Sequence, residues 1–452
     1  MAKRKVREPL ARPAGLPPSA LHQSVDPHLL PFETTESLDV LEGVIEQERA
    51  MEALEMGLSI RKRNFNIFVA GASGTGKSSI LRGLLKRVAE KDPVPPDWCM
   101  VNNFKRVDQP IVFSLPAGRG IELRQAIDQV IADLKVDLPK ALHGKEHQQK
   151  VQRIYNEQCE LENRSFLDLS KKALDIGFAV KSTKDGLSTI PIVEGKPVSN
   201  KEYSDLDENQ RTAIESNRQK LEPVVSQFLE VQRDIELGLH NKLVEAQRDF
   251  GKDALGRHLK AVRKRFKDQP DVMRFIDSVE THILENLDRF LPNDSDIQKA
   301  ERQLRRIGNE YRVNVLVDNS ETNGAPVLFE NTPTYHNLVG KIEKRVENGI
   351  YSTDFMMVKA GAMVRANGGY LVLHAKEVLD YPFAWESLKR LLKYGKVQIE
   401  EMGEDFQFLP TSGIRPDPIP VQCKVILIGS NYLYEVLSHY DEDFSKTFQV
   451  KA

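Results

Sequence analysis

The chain has few cysteines, no long apolar run and almost no charge excess. Its 452 residues include three cysteines, Cys99, Cys159 and Cys423, and none of them stands in a CxxC spacing. This pattern argues against a zinc site or a disulfide framework and favours a reducing compartment, so we expect a cytoplasmic protein. No apolar run approaches the roughly 18 residues of a membrane-spanning helix. We therefore expect no membrane partner.

The charge balance argues against a nucleic-acid partner. The 64 basic and 66 acidic residues give a formal net charge of −2. A protein that binds DNA or RNA needs a basic surface to contact the phosphates, so a nucleic-acid partner is disfavoured. The charged share of 29% beside an apolar share of 40% instead indicates a folded chain with long, solvated helices.

Composition divides the chain into four parts. Residues 1–33 are basic and proline-rich and predict a flexible tail. Residues 34–120 and 311–452 alternate strand and helix patterns, whereas residues 121–310 carry apolar residues at helical spacing. We predict an α/β fold in which the parallel sheet of a P-loop NTPase is interrupted by a long α-helical insertion. The insertion is either a projecting coiled coil, with a small β-hairpin at about 176–198, or an ordinary helical domain.

The strongest motif is "GASGTGKS", which matches the phosphate-loop pattern GxxxxGK[ST]. It stands between the apolar run "FNIFVA" and an amphipathic helix, which is the context that the motif requires. Backbone N–H groups would cradle phosphate oxygens, Lys77 would reach the β- and γ-phosphates, and the Ser78 hydroxyl would ligate Mg²⁺. The motif predicts ATP and Mg²⁺ as ligands. The predicted cofactor-binding residues here are Gly71, Ala72, Ser73, Gly74, Thr75, Gly76, Lys77, Ser78 and Ser79.

Two strands compete to supply the acid that should hold Mg²⁺. The segment "VNVLVD" ends in Asp318, which makes Asp318 a candidate catalytic and metal residue; an aspartate that only caps a turn is the alternative. The segment "GGYLVLHA" has the right pattern but ends in His374 and Ala375. Neutral imidazole is a poor ligand for Mg²⁺, which prefers oxygen donors. Glu377 is a further acid nearby, and we expect it to be solvated.

Other segments resemble the soluble, Lon-like ATP-dependent proteases whose AAA+ ATPase domain carries a helical insertion. The matching segments are "VIEQERAMEAL", "DWCMVNNF", "LPAGRG", "TPTYHNLVGKIE", "GAMVRANGGYLVL" and "PFAWESLKRLL". The resemblance implies that Val44 and Ile45 contact adenine and that Asn431 is a polar sensor near the γ-phosphate. A plain turn residue is the alternative for Asn431. The resemblance also implies a homo-oligomeric ring, such as a hexamer, that acts on a protein substrate or partner.

The departures from the family bear on activity. Ser445 stands where the resemblance leads us to expect an arginine that reaches the neighbouring subunit, and His374 and Ala375 replace the two acids. The family's Ser–Lys protease domain follows the ATPase part, and "KDGLS" around Ser188 is interpreted as a turn, so we expect no proteolytic site in this chain. We predict an AAA+ module that couples ATP to protein unfolding, with Met356, Met357 and Val358 as a substrate-gripping loop or a buried strand. The alternative is a hydrolysis-deficient scaffold that presents the insertion to a partner.

Overall fold

The computed structural model describes residues 17, 25–38, 47–72, 74–183, 186–193, 195–198, 207–291, 307–347, 350–400 and 413–452. The chain divides into two compact units, residues 1–48 and 49–452. In the first unit, two short 3₁₀ turns span Pro27–Leu29 and Thr35–Ser37. None of the helices in the described ranges is long and apolar enough to cross a lipid bilayer.

The helices and strands fall into three stretches along the chain. The first contains α1 (Glu48–Ser59), β1 (Ile67–Ala70), α2 (Lys77–Ala89), β2 (Asp97–Val101) and β3 (Ile111–Leu115). The second contains α3 (Arg119–His143), α4 (Lys145–Asp175), β4 (Phe178–Thr183), β5 (Gly186–Val193), β6 (Lys196–Pro197), α5 (Glu208–Arg265) and α6 (Pro270–Glu285). The third contains β7 (Val313–Val317), β8 (Val327–Glu330), α7 (Tyr335–Val339), β9 (Gly340–Ile342), β10 (Arg345–Glu347), β11 (Ile350–Ser352), β12 (Val358–Ala360), α8 (Ala362–Arg365), β13 (Tyr370–His374), α9 (Ala375–Asp380), α10 (Ala384–Tyr394), β14 (Lys396–Val397), β15 (Ile419–Pro420), β16 (Lys424–Gly429), α11 (Asn431–Tyr440), α12 (Phe444–Thr447) and β17 (Val450–Lys451).

A five-stranded parallel sheet forms the centre of the ATPase part, in the order β17-β1-β16-β13-β8. Both faces are covered, which explains why these strands are continuous apolar runs and do not alternate with polar residues. On one face, Ile67 and Ile426 pack against Leu81 and Leu85 of α2. The opposite face packs against α8, α9 and α10. The predicted α/β fold with a parallel sheet and long helices is confirmed.

A second sheet is antiparallel and has the order β3-β2-β7. The parallel sheet predicted for residues 34–120 and 311–452 therefore does not include β2 and β7, and for these two strands the prediction is wrong. Apolar strand residues do not specify a partner, and here β7 pairs with β2 after the chain returns from the insertion. This sheet packs on the base of the insertion, where α3, α5 and α6 share one apolar core.

The insertion extends as two antiparallel helices, α4 and α5. Two ion pairs show that the helices run in opposite directions, since Lys150 of α4 contacts Asp249 of α5, and the later Glu157 contacts the earlier Lys242. At 1.5 Å per residue, α5 alone is about 87 Å long. The strands β4, β5 and β6 lie between the two helices in the chain and form a small antiparallel sheet. Its Phe178 packs with Ala173, Ile214 and Leu221 of the two helices.

The buried carboxylate of Asp97 joins the insertion to the ATPase part. It is 0% exposed, and its two oxygens accept hydrogen bonds from the N–H groups of Gly120 (2.9 Å) and Asn319 (2.8 Å). Gly120 lies where the chain enters α3, and Asn319 lies where it has returned through β7. Burial raises the pKa of Asp97, although these hydrogen bonds oppose the shift. One side chain therefore connects both ends of the insertion to β2.

We expect Asp97→Ala to lower the free energy of unfolding by roughly 3 kcal/mol, because buried N–H donors lose their acceptor. Urea unfolding followed by circular dichroism measures this. The control is Asp318→Ala, which removes a nearby exposed carboxylate and should change stability by less than about 0.5 kcal/mol. Equal effects of the two substitutions would contradict the role given to Asp97.

Candidate nucleotide-binding site

The phosphate loop connects β1 to α2 at the carboxyl edge of the parallel sheet. Gly74 and Gly76 have φ values of +83° and +76°, a left-handed backbone that glycine adopts without strain. Gly76 is the N-cap of α2, so the positive end of this helix faces the loop. Residues 74–76 are exposed, and Ser73 lies outside the described residues. This arrangement presents backbone N–H groups to an anion.

The Lys77 side chain lies inside this loop. Its ammonium donates to the carbonyl oxygen of Gly71 at 3.0 Å and to the Thr75 hydroxyl at 3.3 Å, and it also contacts the carbonyl of Ala72. The cation therefore occupies the place where phosphate oxygens would enter. Ser78 follows in the first turn of α2 and is half-buried, whereas Ser79 is exposed. The loop fits the phosphates of a nucleoside triphosphate.

The neighbouring strands bring other polar residues to the same edge. The N–H of Gly71 donates to the carbonyl of Gly429 at the end of β16, over 3.1 Å. Asn431 follows as the exposed first residue of α11, whose N-cap is the Ser430 hydroxyl. His374 ends β13 and pairs with Ile428. The structure thus places the loop, His374 and Asn431 at one edge, while Val44 and Ile45 lie outside the described residues.

The end of β13 does not fit Mg²⁺. His374 is half-buried, and within the described ranges its ring makes no hydrogen bond. Ala375 is 2% exposed and points toward Gly429, because a Cβ placed on Gly429 would lie 3.4 Å from the Ala375 Cβ. Imidazole and methyl groups offer no oxygen to the cation. Likewise, no cluster of three or more His, Cys, Asp or Glu that could hold a metal occurs among the described residues.

Asp318 is not brought to this edge. It follows β7 of the antiparallel sheet, and its carboxylate accepts from the Ser320 N–H at 3.0 Å. The chain after it reaches the far end of α2, where the N–H of Ala325 donates to the carbonyl of Ala89 at 2.9 Å. Because α2 has 13 residues, that end lies about 20 Å from the phosphate loop. The contact with the Ser320 N–H fits the alternative interpretation, in which Asp318 only caps a turn.

Glu330 is the strand-end acid that the sequence analysis did not select. It ends β8, directly beside Leu373 of β13, and its side chain is 16% exposed. Its carboxylate accepts from the Thr332 N–H at 3.0 Å and lies 3.8 Å from the Arg365 guanidinium. The signal was present, since "VLFE" is a short apolar run that ends in an acid.

A hydrogen-bonded carboxylate positions the segment around Ser445. Asp441 accepts from the Trp385 indole at 2.8 Å, from the Lys389 ammonium at 3.1 Å and from the Asp443 N–H at 3.0 Å. Burial would raise the pKa of Asp441, but these hydrogen bonds outweigh it and hold the pKa below its ordinary value of 3.8. Ser445 is exposed on the short helix α12 that follows.

A cavity of about 420 Å³ lies at the opposite edge of the sheet, where the strands begin. Its lining includes Lys424, whose ammonium donates to the carbonyl oxygens of Gly57, Ile60 and Phe65. Burial, reinforced by nearby Arg61, lowers the pKa of Lys424 to about 8. These bonds anchor the end of α1 to β16. The cavity is separate from the phosphate loop, which lies at the carboxyl ends of the same strands.

The phosphate loop on a parallel sheet with helices on both faces defines the chain as a P-loop NTPase of the AAA+ class. A family model described as the LonB-like AAA domain matches residues 323–452, and one described as the Lon-like LonC helical domain matches residues 97–130. No curated protein matches the chain. The two matched segments therefore support an ATPase region of the Lon-like protease kind, that is, an ATP-binding AAA+ module. The phosphate loop itself lies outside both matched segments.

We expect Lys77→Ala to weaken ATP binding by about tenfold or more, because the cation in the phosphate cradle is lost. Equilibrium titration with a fluorescent ATP analogue measures this. The matched control is Lys86→Ala, which removes an exposed lysine from the last turn of the same helix and should leave binding unchanged. If both variants bind ATP like the parent, the loop is not the nucleotide site.

We expect Trp385→Phe to cost roughly 1 kcal/mol of stability at pH 7, because Asp441 loses an indole donor. A carboxyl whose folded pKa is depressed stabilises the fold above its unfolded pKa and loses that contribution as the pH falls through the folded pKa. The difference in unfolding free energy between the parent and the variant should therefore shrink below pH 3.8. Urea titrations at several pH values measure it. Trp98→Phe is the control, since the buried Trp98 indole N–H has no partner among the described residues.

Proposed function

We propose that this chain is the ATP-dependent module of a Lon-like protein-processing machine. It binds ATP at the phosphate loop and couples nucleotide occupancy and turnover to the unfolding of a protein substrate. The observation that carries the proposal is the Lys77 ammonium held inside a left-handed glycine loop at the start of α2. The match of residues 323–452 to the LonB-like AAA domain supports the same function.

The proposed working form is a homo-oligomeric ring with nucleotide between neighbouring subunits. AAA+ modules need a second subunit because charge from the neighbour stabilises phosphoryl transfer. In this chain the exposed residues of α12 are Ser445 and Lys446. A lysine ammonium is a point charge without the planar fork of arginine, so any help from this position is weaker.

The substrate-gripping role considered for Met356, Met357 and Val358 is wrong for this structure. Met357 is 9% exposed and Val358 is 0% exposed. Val358 lies in the core beneath the parallel sheet, and Met356 is partly buried against the same core. Asn314 fixes this segment by donating to the carbonyl oxygens of Phe355 (2.7 Å) and Val358 (3.0 Å). We propose the preceding hairpin, β10–β11, as the substrate-contacting element, because Val346 at its start is 58% exposed.

Proteolysis is not part of the proposal. Ser188 lies within β5 and not in a turn, directly opposite Lys181 of β4 on the small sheet of the insertion. Lys181 is exposed, and this sheet packs on the helical arm, away from the parallel sheet.

A second candidate function is a nucleotide-binding scaffold without turnover. The specific observation in its favour is the end of β13, where His374 and Ala375 offer no carboxylate. In that case ATP binding would set the shape of the ring, and the helical arm formed by α4 and α5 would contact the partner.

His374→Asp separates the two functions. If the parent is a scaffold, the variant should gain phosphate release of about tenfold or more over the parent, because an oxygen ligand for Mg²⁺ returns to the strand end. If the parent is a motor, it should already release phosphate, and Lys77→Ala should abolish that release. Phosphate release at saturating ATP, with and without Mg²⁺, measures both. The control is His336→Asp, which places the same change on α7.

A further inference from the structure

We propose that Glu330 is the general base for ATP hydrolysis and replaces the carboxylate missing from position 375. This inference rests on the proposed motor function. In this proposal, β8, the strand next to β13, supplies the acid, and β13 supplies none.

The strand ends of the parallel sheet single out Glu330. Phosphate-binding sites in such sheets lie at the carboxyl ends of the strands. The last residues of the five strands are Lys451, Ala70, Gly429, His374 and Glu330. Only Glu330 among these five carries a carboxylate. Of the other acids considered, Asp318 is on the antiparallel sheet and Glu377 is on α9, beyond the strand end.

The register places Glu330 on the face to which position 375 belongs. Glu330 lies opposite Leu373, and directly paired residues of adjacent strands project to the same face. Leu373 and Ala375 both lie in the core formed with α8 and α9, so the paired Glu330 faces that side. Its contact with Arg365 of α8 agrees with this. Because side chains alternate along a strand and Val372 packs on the α2 side, His374 projects to that side. Glu330 is therefore the carboxylate nearest in register to Ala375.

The Glu330 side chain is held ready to accept a proton. One oxygen accepts from the Thr332 N–H at 3.0 Å, and the other lies 3.8 Å from the Arg365 guanidinium. The carboxylate is 16% exposed, whereas Arg365 is 47% exposed. These two contacts limit the rotamers of the carboxylate, and each of its oxygens keeps a further lone pair for water.

The proposed step is in-line displacement by water. The water oxygen forms a bond to the γ-phosphorus as the bond from that phosphorus to the β–γ bridging oxygen breaks, and ADP leaves with the electron pair. Glu330 takes the proton from the attacking water and later returns it to solvent. Lys77 and the backbone N–H groups of the loop hold the phosphates in line.

The test compares phosphate release and ATP binding in the parent chain and in Glu330→Gln. The amide keeps an oxygen for the Thr332 N–H but cannot take a proton at neutral pH. A general base typically contributes 10²–10⁴-fold, so we expect release to fall by at least about tenfold while ATP affinity stays within about twofold. Glu330→Asp should retain part of the activity. The matched control is Glu377→Gln, which should release phosphate like the parent.

A split between kcat and KM excludes a merely structural role. Glu330→Gln should lower kcat for phosphate release while KM for ATP stays within about twofold of the parent value, whereas a loss of structure would change both. Parent-like release by Glu330→Gln would overturn the role of Glu330 while leaving the motor function intact. ATP binding without release in the parent would overturn both and favour the scaffold. Binding unaffected by Lys77→Ala would instead overturn the proposed nucleotide site itself.

Discussion

The parallel pairing of β1, β16, β13 and β8 sets the geometry of the whole nucleotide site. Each strand contributes one residue or turn at its carboxyl end: the phosphate loop, Gly429 with Asn431, His374, and Glu330. A slip of one residue would move every side chain to the opposite face. Glu330 would then face α2, and His374 would face α8 and α9. The packing of both faces prevents such a slip, because the two faces contact different helices. A slip would present each set of helices with the apolar residues that fit the other.

Separate apolar cores explain how the chain accommodates an insertion of this length. The helices α3, α5 and α6 share a core with the antiparallel sheet, and this core is distinct from the two that cover the parallel sheet. The connection depends on Asp97, which accepts hydrogen bonds from both ends of the insertion. A buried carboxylate with satisfied oxygens can therefore hold a long helical arm while the parallel sheet keeps its own packing.

The site keeps the features that bind phosphate but has no carboxylate at the end of β13. Binding depends on local features, namely left-handed glycines, a helix N-terminus and one lysine. Cleavage, as proposed, depends on carboxylates at strand ends, and β13, where they were expected, ends in His374 and is followed by Ala375. The two requirements can change independently, so an AAA+ module can keep its nucleotide while its catalytic acid is lost or moves to another strand.

The sequence by itself determined the features that depend on neighbours along the chain. The phosphate loop, the long helices α4 and α5, and the apolar strands could all be predicted, because glycine conformation, helical periodicity and strand propensity are local properties. The tertiary structure alone decided which strands share a sheet. It placed Asp318 on the antiparallel sheet and Glu330 on the parallel one, although both follow similar apolar runs. It also buried Met357, whereas the sequence was equally consistent with a gripping loop and with a buried strand. Strand pairing and burial depend on residues far apart in the chain, and a local pattern does not name its partner.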